Sequence, residues 1–166
     1  MLWTNRIFCG MIKDSVYLRD RQMRDLGGIK SMRKVVKFGG SSLASAEQFK
    51  KVGDIIRADK GRKYVVPSAP GKRFDGDIKV TDMLYACYAK AEKKEDITAS
   101  IAAIRERYME IINGLGLSLS LDDQFEVISE NFKKLAGSNY AASRGEYLNG
   151  IIMANYLGYE FIDAAE

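Results

Sequence analysis

The stretch Lys34-Val35-Val36-Lys37-Phe38-Gly39-Gly40-Ser41-Ser42 constrains this chain more than any other. A short apolar run meets two glycines and two hydroxyl residues, and a helical pattern starts at about Ser45. That is a strand, a turn with little side chain, and a helix N-terminus. Helix N-termini present unpaired backbone N–H groups and a partial positive charge, which suits phosphate. Adjacent glycines let a bulky anion approach the backbone with no Cβ in the way. Lys37, at the end of the strand, brings an ammonium to the same anion. The local reading is a phosphate cradle with a cationic arm. It is not a Walker loop, because no Gly-Lys-Ser/Thr follows four intervening residues.

The flanking pattern extends the unit. Arg33–Phe38 reads as a first strand, with Val35 and Val36 both apolar as a buried parallel strand requires. Ser45 and Gln48 form a capping box, and Phe49, Val52, Ile55 and Ile56 share the face of the helix that follows, which Gly61 ends. Lys63–Ser68 is a second strand with Tyr64, Val65 and Val66 at its core. Strand, helix, strand in that order predicts a right-handed crossover and a parallel sheet. Pro67 removes a ladder donor and points to an edge or a bulge. Thr81 caps a helix to about Lys93 with Leu84, Cys87, Tyr88 and Ala91 inward. A second helix covers about residues 96–113, carries Ile97, Ile101, Ile104, Tyr108, Ile111 and Ile112 at helical spacing, and stops at Gly114. A third opens at Ser120 with Phe125, Ile128, Phe132 and Leu135 on one face. These three read as scaffold, their tyrosines as core. Ala142-Ser143-Arg144-Gly145-Glu146 opens a fourth helix to about Leu157, and a last strand covers Tyr159–Asp163. A glutamate at a helix start offsets the macrodipole. Gly145 there is costlier, and signals the close approach of another group.

Composition narrows the chemistry. The 166 residues contain no histidine, which removes imidazole acid–base catalysis and His metal sites. The net charge is +4, but residues 1–31 hold six basic and three acidic side chains, so the remainder carries only +1. A nearly neutral body argues against a nucleic-acid surface. No apolar run is long enough to span a bilayer. Cys9 and Cys87 lie far apart with no pairing pattern, the pattern of a reduced, cytoplasmic chain.

Lys37-Phe38-Gly39-Gly40-Ser41-Ser42, the Val65-Val66-Pro67-Ser68-Ala69 strand end with Thr81-Asp82 after it, and Ser143-Arg144-Gly145-Glu146 occur in one order across positions 37–146. Together they resemble the signatures of aspartate kinases, within the amino-acid kinase family. The resemblance implies the N-terminal half of a three-layer α/β/α, carbamate kinase-like fold with a mainly parallel sheet. It implies ATP and L-aspartate as ligands, with Mg2+ carried by ATP. Lys37 would be the catalytic residue and contact the β- and γ-phosphates. Gly39, Gly40 and Ser41 would bind the γ-phosphate. Ser68 and Thr81 would hold a substrate carboxylate, Glu146 the α-ammonium, and Arg144 is a further substrate-binding candidate. Two departures stand out: Pro67 replaces an apolar strand residue, and the Gly71–Thr81 segment is long and carries Lys72, Arg73 and Lys79. That basic segment would either help hold the nucleotide or be a solvated flap, and since charge runs on loops are usually exposed the flap reading stands slightly ahead.

Residues 1–31 share neither the periodicity nor the resemblance. They are expected to be a leader, disordered or translated from upstream of a natural start at Met32, with 32–166 a truncated kinase-domain portion that has little or no activity alone. The full-length protein would be a homo-oligomer. Two other readings stand beside aspartate kinase: another family member such as a glutamate 5-kinase, or a non-catalytic anion-binding module built on half a kinase fold.

Overall fold

The structure, a computed structural model, describes residues 6–9 and 32–163. The strands are β1 (Arg6–Cys9), β2 (Lys34–Phe38), β3 (Arg62–Pro67) and β4 (Glu160–Asp163). The helices are α1 (Ala46–Arg57), α2 (Val80–Glu92), α3 (Thr98–Leu115), α4 (Asp122–Lys133) and α5 (Ser138–Leu157), and a single 3-10 turn spans Gly40–Leu43. All pairings are parallel, in the order β2-β3-β1-β4.

That order fixes where the helices go. The β2–α1–β3 and β3-to-β4 crossovers both step in one direction across the sheet. Right-handed connections that step the same way put their helices on the same face. The register agrees: Val36, Val65 and Ile7 form one row, and of these Val65 and Ile7 are fully buried in the helix-covered core. The adjacent row, Val35, Tyr64, Arg6 and Glu160, lies on the other face, where Val35 is 63% exposed and Arg6 pairs with Glu160 at 2.9 Å. The described residues thus supply the parallel sheet and one helical layer of the predicted α/β architecture. The expectation that Val35 and Val36 are both buried fails at Val35 because its row lies on the face of the sheet away from the helices, which no described element covers.

Pro67 is the last residue of β3, pairs with Phe38 and is buried. Among the described residues β1 pairs with β3 at Tyr64 and Val65, so the donor missing at Pro67 breaks no bond of that ladder. Arg6–Cys9 was expected to lie in a leader; it is a strand between β3 and β4 with Ile7 in the core. The rest of the leader, residues 1–5 and 10–31, lies outside the described residues, as do 164–166.

α5 runs through the middle of the helical layer and packs on β1, β3 and β4 and on the other four helices. Ala141, Gly145, Leu148 and Ile152 share one buried face at i, i+4, i+7 and i+11, and Gly150 and Met153 are buried on other sides of the same helix. A helix buried on most sides loses the amphipathic stripe of a surface helix. α3 and α4 bury Ile104, Tyr108, Ile111, Phe125, Ile128 and Phe132, as their spacing predicts. Three positions differ. Ile55 is 48% exposed because the buried stripe of α1 runs through Phe49, Val52 and Ile56. Leu135 lies past the end of α4, with φ 58°, and is half exposed. α3 ends at Gly116 in the left-handed region, φ 68°, where glycine has no Cβ penalty. Gly114 is instead a contact point, since a Cβ there would meet Ala46 Cβ at 2.6 Å.

Candidate active site

The C-terminal ends of β2 and β3 open into a cleft of about 530 Å3, within the range of small-ligand sites. One wall is the glycine turn. Ser42 N–H donates to Gly39 O at 3.1 Å, closing the turn, and Gly40 and Ser41 face the cleft. The reason for glycine differs between the two positions. A Cβ on Gly39 would meet nothing within 4 Å, so that site is open to an approaching group. A Cβ on Gly40 would strike Ala69 O at 2.7 Å, and one on Gly71 would strike Gly40 C at 2.7 Å and Ser41 N at 2.8 Å. Gly71 N–H donates to Gly40 O at 2.8 Å. Gly40 and Gly71 are therefore a pair packed backbone to backbone, which holds the turn against the loop after β3.

The floor comes from β3 and α2. Ser68 follows β3, with its N–H on Phe38 O at 3.0 Å. Its carbonyl accepts from Asn149 Nδ2 at 2.6 Å. Thr81 also lines the cleft, but not as a cap: α2 begins at Val80 with Lys79 in the cap position and no side-chain cap bond. Val80 N–H is taken by Pro70 O at 3.1 Å, so backbone does the capping and the Thr81 hydroxyl is not drawn into it.

The opposite wall is α5. This helix starts at Ser138, one turn before the predicted Ala142, so Glu146 lies in its third turn and a macrodipole role for it falls away. A Cβ on Gly145 would meet Ala69 Cβ at 2.8 Å and Leu84 Cδ1 at 3.2 Å. The close approach that Gly145 signals is thus with the end of β3 and with α2, and Tyr108 Oη ties the Gly145 carbonyl at 2.8 Å. With Gly145 seated there, Glu146 faces the cleft, half-buried. Burial pushes its carboxyl above the usual glutamate range, and the Lys37 charge partly offsets this.

Of the eight site residues the sequence points to, Gly40, Ser41, Ser68, Thr81 and Glu146 meet on this cleft from three separate stretches of chain. Lys37 and Gly39 are exposed at its edge outside the lining; Lys37 reaches it through its charge on Glu146. Arg144 is turned elsewhere: its guanidinium lies between the Tyr140 and Tyr147 rings, 4.6 and 4.5 Å from their centroids, and donates to Ser143 Oγ. Lys72, Lys79 and Gly71 line the cleft without having been assigned to it. The signal for the lysines was their charge, read as a solvated flap. Asn149, fully buried, was missed; a polar residue three positions after Glu146 on a buried helix was its signal. Among the described residues, no three His, Cys, Asp or Glu side chains cluster to hold a metal ion. No described helix is long and apolar enough to cross a membrane.

Comparison with known proteins places this geometry. The model of the amino acid kinase family matches residues 32–165. Aspartokinase 3 of Bacillus subtilis (strain 168) is 40% identical over 139 residues, covering 79% of this chain and 30% of that protein. The crystal structure of Clostridium acetobutylicum aspartate kinase superposes with a TM-score of 0.76 at 50% identity, over 78% of this chain and 30% of that one. E. coli aspartokinase III, solved with aspartate and ADP, shares the fold with a TM-score of 0.53 at 24% identity, over 75% of this chain and 28% of that one. The chain spans about 30% of the length of these relatives.

Proposed function

This chain belongs to the amino acid kinase family, and on that premise we propose that it serves ATP-dependent phosphorylation of the L-aspartate side-chain carboxylate, giving 4-phospho-L-aspartate. The observation that carries the reading is the meeting of Gly40, Ser41, Ser68, Thr81 and Glu146 on one cleft. Its lining is chemically mixed: the backbone of the glycine turn, the Lys72 and Lys79 side chains, the Ser41, Ser68 and Thr81 hydroxyls and the Glu146 carboxylate. L-Aspartate has an α-ammonium to pair with Glu146, and a carboxylate for the Ser68 and Thr81 hydroxyls. The γ-phosphate of ATP meets the Gly39, Gly40 and Ser41 backbone, and Lys37 neutralises charge on the β- and γ-phosphates. A side-chain carboxylate oxygen attacks the γ-phosphorus, the bond to the β–γ bridging oxygen breaks, and its electron pair leaves with ADP. The nucleophile is already an anion, so no general base is needed and the lack of histidine is no obstacle. Mg2+ would arrive on the nucleotide phosphates, held mainly by them. Arg144, held between two tyrosines, takes no direct contact in this scheme. The product would feed lysine, threonine and methionine synthesis in the cytoplasm, with the full-length protein a homo-oligomer.

A chimera tests this. Residues 32–163 replace the matching segment of Bacillus subtilis aspartokinase 3, and acyl phosphate is trapped with hydroxylamine. The expected result is aspartyl hydroxamate formation with L-aspartate, little with L-glutamate, and a loss of at least 100-fold with Lys37→Ala, the scale of removing one transition-state contact. A folded chimera that ignores L-aspartate, or one indifferent to Lys37→Ala, would sink the proposal.

A further inference from the structure

Arg107 is an arginine on the apolar stripe of α3, between Ile104 and Ile111, and is only 5% exposed. It does not touch the cleft. Its Nη1 donates to Asp77 Oδ2 at 2.8 Å and its Nη2 to Gly71 O at 3.0 Å, while its Nε is buried with no partner. Both acceptors belong to the 71–79 loop. Asp77 is bound again from within the loop: Arg73 N–H and Nε donate to its Oδ2, each at 2.9 Å, and Arg73 Nη2 to its Oδ1 at 3.0 Å. Arg73 Nη1 then reaches Glu110 on α3 at 2.6 Å. The loop is exposed, as its charge suggests, and is fastened to α3 through Gly71, Arg73 and Asp77.

The fastening leads into the site. Gly71 bears the carbonyl that Arg107 holds and the N–H that donates to Gly40 O, and its Cα packs on the Gly40–Ser41 backbone with no room for a Cβ. The two loop residues beside the fastened points, Lys72 next to Gly71 and Lys79 two residues after Asp77, line the cleft. A buried guanidinium with one unmet donor is a poor way to gain stability, because apolar residues of similar volume do as well or better. The planar fork suits a different task, holding two acceptors at fixed angles.

We propose that Arg107 is a positioning residue for the anion end of the cleft, setting the glycine turn through Gly71 and fixing Lys72 and Lys79 as a cationic wall for a nucleoside triphosphate. The proposal rests on the reading of the cleft as an ATP site. Arg107→Met leaves Asp77 bonded to Arg73, so the substitution strands no carboxylate. In the 166-residue chain, NMR exchange of the Gly71 and Val80 amides is expected to speed at least tenfold in Arg107→Met, and less in Arg107→Lys. The Ile111 and Ile112 amides of the same helix should keep their rates, which a general loss of packing would not allow. ATP affinity should fall at least tenfold in Arg107→Met, and severalfold in Lys72→Met with exchange unchanged. Unaltered exchange at Gly71, or equal acceleration throughout α3, overturns the clamp whether or not ATP binds. If wild-type chain binds no ATP while the exchange pattern appears, the clamp stands as a structural device; the ATP-site reading and the cationic-wall role then fall.

Discussion

The two walls of the cleft are held in place by different physics. The α5 wall is set by apolar packing: Gly145 is wedged against Ala69 and Leu84, and the helix around it is core. The wall formed by the Gly40 turn and the 71–79 loop lies beside an edge strand and is set by backbone contacts and charged hydrogen bonds. Glu146 thus has a position that the whole fold defends, whereas the glycine-turn wall depends on backbone contacts and a few polar links.

The largest expected effect lies on the packed wall. Gly145→Val puts branched atoms where even a Cβ would sit 2.8 Å from Ala69 Cβ. Overpacking of a tight core costs about 1–3 kcal/mol, and the upper part of that range is expected in urea unfolding. Gly71→Ala comes next, at about 1–2 kcal/mol, since Gly71 is buried and its Cβ would meet backbone atoms of Gly40 and Ser41, but it adds only one carbon. Its loss of ATP affinity should exceed that of Gly145→Val measured well below the unfolding midpoint. The reverse order would erase the distinction between the walls.

Glu146→Gln gives the smallest change in stability, and of opposite sign. Folding raises the Glu146 carboxyl above its ordinary value, burial being the main cause. A carboxyl raised on folding binds its proton more tightly in the folded chain. Its contribution is therefore lost as pH climbs from the unfolded glutamate value through the raised one. The glutamine variant escapes that loss, so its Tm should exceed wild type at about pH 7.5 and converge with it at acid pH, below the ordinary glutamate value. The same variant should lose L-aspartate binding, the cost in function that accompanies a destabilising site residue. A Tm difference that is constant with pH would remove the burial argument.

The same contrast decides what could be read from sequence. The scaffold behind the packed wall was legible: Ile104, Tyr108 and Ile111 of α3, and Phe125, Ile128 and Phe132 of α4, announce their face by period alone. Gly145 announced a close approach, though not its partners. The glycine turn was legible as an anion cradle, but its pairing with Gly71 was not, because backbone-to-backbone contact across 31 residues leaves no periodic trace. Arg107 was legible in principle, as a charge at i+3 on an apolar helical face, and its partners 30 and 36 residues away were not. Val35 misled because which face of a sheet is covered is a property of the assembled fold. Thr81 misled because the Pro70 carbonyl took the capping role.

The central claim is that one cleft takes ATP and L-aspartate on two separate sets of residues. A 1H–15N titration of the 166-residue chain, with ATP and L-aspartate added separately, tests it most directly. The account predicts that ATP moves the Gly40, Ser41 and Gly71 amides and leaves Glu146 nearly still. L-Aspartate should move Ser68, Thr81 and Glu146, with little response at the glycine turn. Both ligands shifting one common set of amides, or neither shifting any of them, would contradict it.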